Sequence, residues 1–447
     1  PFSTSMRKFC PWAWKCLFGS STDTWSWGCS VKGRGEGNMK ASNELRGDNE
    51  PASLRSRMGP LLFLVGIFFS NILARFALTP MMPVLERELQ LGHDEAGSLV
   101  FTLSLGYSVL LLGSGFISRR LTHKGTIVAS CGAVCGAATL VASSHGLWGI
   151  RIGFFLVGMA AGVYLPSAIA TITELVTSKD WGKAIALHEL APNLGFVLSP
   201  LVVEMLLRWM TWRQSLILFG VLCLGMGLVF LRFGKGGNFP GEASNIGTVR
   251  VIFSDRSFWI IMILFCLGIG ASFGVYSMLP LYLVAEKEVE RTWANTWVGL
   301  SRVPTLVMVF AAGWAADHLG PKRTMRGVFF LSGVSTVLLS LVPGSWFVPV
   351  VFLQCLCATS FFPAGFAALS RIGSPKTKNV AVSLTMPISI LVGAGMVPAG
   401  IGIAGQWGSF GAGFAALGAL LLMAAFAIPY MELAEGYSET RERPPGA

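Results

Sequence analysis

Charged residues are scarce in this chain of 447 amino acids. Asp, Glu, Lys and Arg together make up 13% of it, whereas a soluble domain carries about 25%. Tyrosine, with 6 copies, and histidine, with 5, are also rare. Because so few charged and polar residues cannot cover the surface of a soluble protein of this length, the composition argues against a soluble multi-domain chain.

Several kinds of site are missing from the sequence. The nine cysteines form no disulfide framework, and those within apolar runs are typical of helix packing. Because no convergent metal ligands are visible in the sequence, neither a metal site nor a cofactor is predicted. No Ser/His/Asp set or phosphate-cradling loop is apparent, so an enzyme is not expected and energy must come from a gradient. The net charge of +11 is scattered over short loops, which argues against nucleic-acid binding.

Long apolar runs are what the chain has instead. About 20 apolar residues are needed to cross the hydrocarbon core of a bilayer. Twelve runs reach or approach that length, in two sets of six. They lie near 60–82, 96–117, 126–144, 147–171, 184–206, 214–232, 257–284, 295–316, 326–343, 347–369, 380–404 and 412–431.

These spans divide the chain into six predicted segments. Residues 1–38 lack helical period, and Gly33–Asn38 would have purine-rich codons just before Met39, so we hypothesise that translation starts at Met39 and that 1–38 is a non-native upstream extension. The Gly- and Pro-containing stretch 233–256 is the predicted linker. The other segments are a cytoplasmic N-terminal tail at 39–58, six-helix halves at 59–232 and 257–432, and a cytoplasmic C-terminal tail at 433–447.

One stretch of sequence occurs twice. The segment from Gly115 to Lys124 returns 198 residues later as Gly313 to Arg323, and each copy joins two apolar runs through a short basic hairpin. Proline pairs repeat at similar spacing, Pro80 with Pro280 and Pro166 with Pro363. Halves that repeat within a membrane are typical of secondary transporters.

The repeated hairpin resembles the signature of the major facilitator superfamily. The second copy matches it with Asp317, Gly320, Lys322 and Arg323, whereas the first has Arg119 and Thr122 where the acid and the glycine are expected. The resemblance implies an all-α membrane protein whose twelve transmembrane helices form two pseudo-repeated six-helix halves, with unequal gates at the hairpins. The predicted gate residues are Asp317, Gly313, Gly320, Lys322, Arg323, Arg119 and Arg120.

A Gly/Pro pattern in the fifth and eleventh spans also resembles that family. Glycine lets membrane helices approach and slide, and proline bends a helix by removing a backbone hydrogen bond. Helix flexing is therefore predicted at Pro200, Gly195, Gly395, Pro398 and Gly400. Tight packing alone is the alternative explanation for each of them.

The basic residues of the loops predict the orientation. If both termini are cytoplasmic, the inner connections carry 15 Lys and Arg and the outer ones carry 5. Positive residues are retained on the cytoplasmic side. We therefore expect an integral protein of the bacterial inner membrane with both termini in the cytoplasm.

Charges inside the spans are the candidates for substrate chemistry, because they are costly in a membrane and usually face a cavity or a partner. Arg75 lies in the first span and Arg302 in the eighth. Two guanidiniums converging from opposite halves would bind a carboxylate or phosphate. Tyr276 is the third predicted substrate-binding residue, as an aromatic residue that lines the cavity. The alternative is that Arg75 reaches the headgroups or pairs with Glu86 or Glu88.

Glu189, preceded by His188, is the candidate for proton coupling. Both lie less than two turns into the fifth span, and a buried glutamate has a raised pKa, so it can exchange protons near neutral pH. The alternative is a solvated residue paired with Lys183. Glu204, by contrast, lies nearer a helix end and is interpreted as a loop or cap charge.

Three functional hypotheses remain. The first is a secondary transporter, monomeric in the bilayer, that moves a small organic anion by alternating access with proton coupling or exchange. The second is proton-coupled efflux of drugs or metabolites, which sparse membrane carboxylates disfavour. The third is a non-transporting membrane sensor, which usually needs a longer tail.

Overall fold

The structure is a computed structural model that describes residues 54–241, 253, 256–370 and 378–430. The predicted extension at 1–38, residues 39–53 of the predicted tail and the tail at 433–447 lie outside the described residues. So do most of the linker after Gly241 and the loop residues Arg371 and Lys376, on which part of the orientation argument rests.

Eleven helical runs in the described part of the chain are long and apolar enough to cross a membrane. We number the spans they form in chain order. They are α1 Met58–Leu89, α2 and α3 within His93–Ser143, α4 Leu147–Leu175, α5 Trp181–Leu206, α6 Trp212–Phe233, α7 Arg256–Ala285, α8 Arg291–His318, α9 Pro321–Leu341, α10 Phe347–Leu369, α11 Ala381–Gln406 and α12 Phe410–Ala427.

The run His93–Ser143 contains two spans rather than one. Its 51 residues would extend roughly 77 Å at about 1.5 Å per residue, more than twice the thickness of the hydrocarbon core. Thr122 interrupts it with φ 61° and ψ 167°, so α2 precedes Thr122 and α3 follows it. The prediction of twelve helices in two halves is therefore confirmed, with α1–α6 as the first half and α7–α12 as the second.

Both copies of the repeated hairpin turn through the same backbone conformation. Gly320, 198 residues after Thr122, has φ 83° and ψ 152°. Glycine adopts this region at little cost, whereas a β-branched residue is strained in it. The first hairpin is also shorter than predicted, because helical backbone continues to either side of Thr122. We call the end of the bundle that bears Thr122 and Gly320 the hairpin end.

The segment after α6 folds back onto the first hairpin. The amide N–H of His123 donates to the Phe239 carbonyl at 3.1 Å, and that of Lys124 donates to the Gly237 carbonyl at 2.7 Å. The N–H of Gly237 in turn donates to the Glu174 carboxylate at the end of α4. We call residues 234–241 the strap, because they join α2, α3, α4 and α6 at the hairpin end.

Several spans are locally irregular near the middle of the bundle. Helix α1 is interrupted at Ala77 and α5 at Glu189, α7 contains a π-helical turn at Gly270–Gly274, and α11 contains another at Ile390–Met396. Such irregularities are common at functional sites. The breaks in α5 and α11 fall about 200 residues apart, so the irregularities repeat with the sequence.

Candidate functional site

Hydrogen bonds between the two halves are concentrated on one side of the bundle. In the part of the chain that the structure describes, they lie between the middle and the end opposite the hairpins, which we call the Glu204 end. There the N–H of His93 in α2 donates to the Gln406 side chain in α11 at 2.9 Å. Backbones also meet closely, since a Cβ placed on Gly97 would lie 2.9 Å from the Pro398 carbonyl oxygen. The halves are thus joined at the Glu204 end.

Glu204 is the centre of the contacts at that end. Its carboxylate accepts two hydrogen bonds from the Arg291 guanidinium, at 3.0 and 3.1 Å, and one from the Asn295 amide at 2.9 Å. Glu204 itself is 5% exposed. The interpretation of Glu204 as a loop or cap charge was therefore wrong, because its partners come from the other half and spacing along one helix cannot reveal them.

Prolines in α5 and α11 lie beside two further bonds between the halves. Pro200 has no N–H to give to the carbonyl of Phe196 four residues earlier, and this carbonyl accepts from the Tyr276 hydroxyl at 3.0 Å. Pro398 likewise cannot donate to the Ala394 carbonyl, which accepts from the Ser104 hydroxyl at 2.9 Å. In each half, a carbonyl that proline leaves without its helical hydrogen bond accepts one from the other half.

An aromatic cluster fills the middle of the interface. The rings of Phe76 in α1 and Phe196 in α5 lie 4.4 Å apart. Phe196 also contacts Tyr276 at 5.2 Å and stacks on Phe273 at 5.0 Å, both on α7. Because three helices from two halves supply these rings, the cluster depends on how the halves are arranged.

Arg75 lies on the first-half side of this cluster. Its side chain is 9% exposed, and its guanidinium carbon lies 3.8 Å from the centre of the Tyr107 ring and 5.0 Å from that of Phe76. A cation over an aromatic face is stabilised electrostatically. No carboxylate among the described residues forms an ion pair with Arg75. The alternative partners are engaged elsewhere, Glu86 by His93 and Glu88 by Arg213.

Arg302 lies on the second-half side, in the irregular turn between the two parts of α8. Its guanidinium donates to the backbone carbonyl of Ser272 at 2.6 Å and to the Ser272 hydroxyl at 3.2 Å. It also lies 4.6 Å from the Tyr276 ring and 5.1 Å from the Phe196 ring. The two arginines therefore flank one aromatic cluster but are not equivalent, because the guanidinium of Arg302 already donates hydrogen bonds to the π-helical turn of α7.

His188 and Glu189 differ from each other in exposure. His188 is 1% exposed and stacks on Phe68 at 4.5 Å, whereas the Glu189 side chain is 45% exposed. The expectation of a buried Glu189 was wrong, because its side chain is exposed at the break in α5. Pairing of Glu189 with Lys183 is also wrong, since Lys183 bonds to Asp180 at 2.7 Å. That bond lowers the pKa of the Asp180 carboxyl below its usual value.

The hydrogen bonds of His188 define its tautomer. The Tyr164 hydroxyl lies 2.7 Å from the Leu64 carbonyl, which can only accept, so its proton is committed there. Nε2 of His188, 3.1 Å from the same hydroxyl oxygen, must then be the donor. Nδ1 is left to accept a proton, and it lies 3.5 Å from the Glu189 carboxylate. The unprotonated nitrogen of the neutral ring therefore lies beside a carboxylate.

The hairpin residues are placed as follows. Arg119, Arg120 and Arg323 are exposed, Lys322 and Gly320 are half-buried, and Gly313 is buried in α8. Oδ1 of Asp317 is buried without a hydrogen-bond partner in the described part of the chain. Charge pairing of Asp317 with Lys322 or Arg323 is not seen in this arrangement, in which the inter-half bonds lie at the other end.

The residues predicted to permit helix flexing occupy different environments. A Cβ on Gly195 would lie 2.1 Å from the Ile72 side chain, and one on Gly395 would lie 3.0 Å from Ser104. Gly400 faces open space within 4 Å, while Pro200 and Pro398 are buried. Close packing therefore accounts for the absence of a side chain at Gly195 and Gly395, but it does not account for the glycine at position 400.

Comparisons with known proteins agree with this architecture. The sequence-family model of the Major Facilitator Superfamily matches residues 64–311. The chain is 22% identical over 372 residues to a probable sulfoacetate transporter of Cupriavidus necator, covering 76% of this chain and 83% of that protein. It is 23% identical over 347 residues to a hexuronate transporter of Bacillus subtilis, covering 72% and 75% of the two chains.

Solved structures show the same fold. The chain matches a bacterial homologue of the human lysosomal transporter Spinster, in an inward-facing and occupied conformation, with a TM-score of 0.71 and 14% identity. The match covers 86% of this chain and 98% of that one. The fold, the twelve spans and the family model together define an integral membrane transporter. The chain belongs to the Major Facilitator Superfamily.

Sequence reasoning missed some residues at the interface. Asn71 and Ser272 appear as ordinary polar residues within apolar spans, whereas Asn295 is a candidate cavity residue whose bond to Glu204 the sequence does not predict. The available signal was the cost of an amide or hydroxyl inside a membrane segment, which applies to Asn71 and Asn295 as it does to an arginine.

Proposed function

We propose that this protein is a secondary transporter that moves a small organic anion by alternating access. The observation that carries the proposal is Arg75, a buried guanidinium near the middle of a membrane bundle that has no carboxylate partner among the described residues. Burying an uncompensated charge is costly, and an anionic ligand would compensate it. The likeness to transporters named for sulfoacetate and hexuronate supports the same class of substrate.

The substrate site that we propose lies beside the aromatic cluster, between Arg75 and Arg302. Arg75 supplies the principal charge, because no backbone carbonyl or carboxylate among the described residues accepts a hydrogen bond from its guanidinium. Arg302 adds positive potential from the other half while Ser272 fixes its position. Tyr276 shapes the site with its ring, since its hydroxyl is used by the Phe196 carbonyl.

Alternating access then involves the contacts at the Glu204 end. With the basic hairpins in the cytoplasm, as the loop charges favour, the Glu204 end faces outward and the structure is closed to that side. Opening outward requires Glu204 to separate from Arg291 and Asn295, and requires Tyr276 and Ser104 to leave their carbonyl partners. The hairpin end would close in exchange, where Asp317 could gain a partner.

Proton coupling, in this proposal, uses His188 and Glu189. Protonation of Nδ1 would create a cation 3.5 Å from the Glu189 carboxylate, within the first half and on the hairpin-end side of Arg75. A proton entering from the same cavity as the anion would balance its charge. Exchange of one anion for another is the other mode, and it needs no titrating group.

Uptake into proteoliposomes tests the function. Purified protein is reconstituted and given labelled galacturonate, first with an inward proton gradient and then with unlabelled anion inside and no gradient. We expect saturable uptake in at least one mode, loss of proton-driven uptake with a protonophore, and loss of both modes in Arg75→Gln. Uptake that is unaffected by Arg75→Gln, or transport of organic cations alone, would contradict the proposal.

A further inference from the structure

Asn71 is a buried amide one helical turn before Arg75. It is 2% exposed, and its Nδ2 has no hydrogen-bond partner in the described part of the chain. The Nε of Arg75 is buried and unpartnered in the same way. Residues four apart lie on the same face of a helix, so two unsatisfied donors lie next to each other on α1.

Stability does not explain an amide at this position. Asn71 is followed by Ile72, Leu73 and Ala74, all buried, and an apolar side chain of similar size would avoid the desolvation of an unpaired amide. Buried polar groups in folded proteins are nearly always hydrogen-bonded. An unpartnered amide donor beside the unpartnered Nε of Arg75 therefore indicates a ligand that satisfies both.

Other buried amides near the interface have protein partners. Nε2 of Gln354 donates to the Ala271 carbonyl at 2.8 Å, and Nδ2 of Asn295 donates to Glu204 at 2.9 Å. Arg302 likewise donates to Ser272. The Nε of Arg302 is unpartnered as well, but the other two nitrogens of its guanidinium donate to Ser272. The unpartnered amide of Asn71 lies on the Arg75 side of the aromatic cluster, which assigns the two arginines different roles.

We propose that Asn71 is a specificity-determining residue, donating a hydrogen bond to a hydroxyl or carbonyl oxygen of the anion whose charged group Arg75 binds. This inference rests on the proposed function and narrows its substrate class to hydroxylated organic acids. One helical turn rises about 5.4 Å, so the second oxygen lies about that far from the charged group, a span that the ring of a sugar acid covers. The uncharged part of the substrate points toward Phe68 and His188, on the hairpin-end side of Arg75.

A matched pair of ligands tests the role of Asn71. Galacturonate and cyclohexanecarboxylate have the same ring size and the same carboxylate, but only galacturonate has ring hydroxyls. Their affinities are measured by calorimetry on the full-length parent, Asn71→Leu, Asn71→Ala and Arg75→Gln. We expect the parent to prefer galacturonate, and both Asn71 variants to bind galacturonate about tenfold more weakly with cyclohexanecarboxylate unchanged.

The same measurements separate the two proposals. If Arg75→Gln weakens both ligands while the Asn71 variants alter neither, or alter both equally, the role of Asn71 is refuted and the anion site stands. If Arg75→Gln alters neither ligand, the proposed function itself fails. A parent that does not prefer galacturonate also refutes the role of Asn71. Asn71→Ala is included so that misfolding of one variant cannot decide the result.

Discussion

The hydroxyl of Tyr276 on α7 donates to the carbonyl of Phe196 on α5, at 3.0 Å and across the boundary between the halves. The carbonyl lacks its ordinary helical partner because Pro200 has no N–H. Ser104 makes the corresponding bond to Ala394, four residues before Pro398. Proline in these helices therefore exposes acceptors to the opposite half, in addition to any flexibility it confers.

Removing the Tyr276 hydroxyl should favour opening at the Glu204 end. Tyr276→Phe loses one hydrogen bond that exists only between the halves, which costs the closed arrangement about 1 kcal/mol, roughly a fivefold change in population. Spin labels at Gln90→Cys and Glu288→Cys, in a background without native cysteines, report the distance between the halves at that end. Longer distances should gain weight in the variant.

Tyr282→Phe is the matched control for that experiment. The Tyr282 hydroxyl bonds to the Leu339 carbonyl within the second half, so its loss should lower the melting temperature without altering the distance distribution. Equal distributions for the two variants would contradict a role of the Tyr276 bond in closure.

Glu204→Gln should open the same end more strongly. The change removes the charge that holds Arg291, and Arg291 is 37% exposed, so solvent moderates the loss. We expect the closed arrangement to lose about 1–2 kcal/mol, measured with the same spin labels. Glu290→Gln, an exposed acid at the same end, should leave the distances unchanged. If Glu204→Gln behaves as Glu290→Gln does, Glu204 does not hold the halves together.

Thr122→Gly should stabilise the protein. Thr122 occupies a backbone region that costs a β-branched residue about 1–3 kcal/mol. Glycine avoids this strain, but it gives the unfolded chain more conformational freedom, which offsets about 0.5–1 kcal/mol of the gain. A net gain of about 1 kcal/mol corresponds to a rise of about 2 °C in melting temperature. The helical residue Thr139 gives the control, because Thr139→Gly should lower stability by about 0.3 kcal/mol. A lower melting temperature for Thr122→Gly would mean that the threonine is not strained.

Glu189→Gln should uncouple transport from protons. Without the carboxylate beside Nδ1, a protonated His188 loses its counter-ion, while Tyr164 still holds Nε2. Proton-driven uptake should fall at least tenfold, with anion exchange retained. Asp180→Asn, which neutralises an acid bonded to Lys183 at the start of the same helix, should alter neither mode. Retention of proton-driven accumulation in Glu189→Gln would rule out this pair.

The sequence was sufficient for the fold but only partly for the site. Apolar run length and the 198-residue repeat predicted twelve helices in two halves, because both are visible in the sequence without knowledge of which residues are in contact. Glu204 and Asn71 could not be assigned from sequence, since their significance depends on partners in another half or on the lack of one. Glu189 was misjudged for a related reason. Its burial depends on the break in α5, which hydropathy does not encode.

Thermal stabilisation tests the central claim, that Arg75 binds an organic anion, most directly. The parent, Arg75→Gln and Arg302→Gln are each melted in the presence of a library of organic anions and cationic drugs, since a ligand that binds only the native state raises the melting temperature. We predict that hydroxylated organic acids stabilise the parent, that Arg75→Gln loses this response, and that Arg302→Gln retains a weakened one. Stabilisation of all three proteins alike by cationic compounds would contradict the claim.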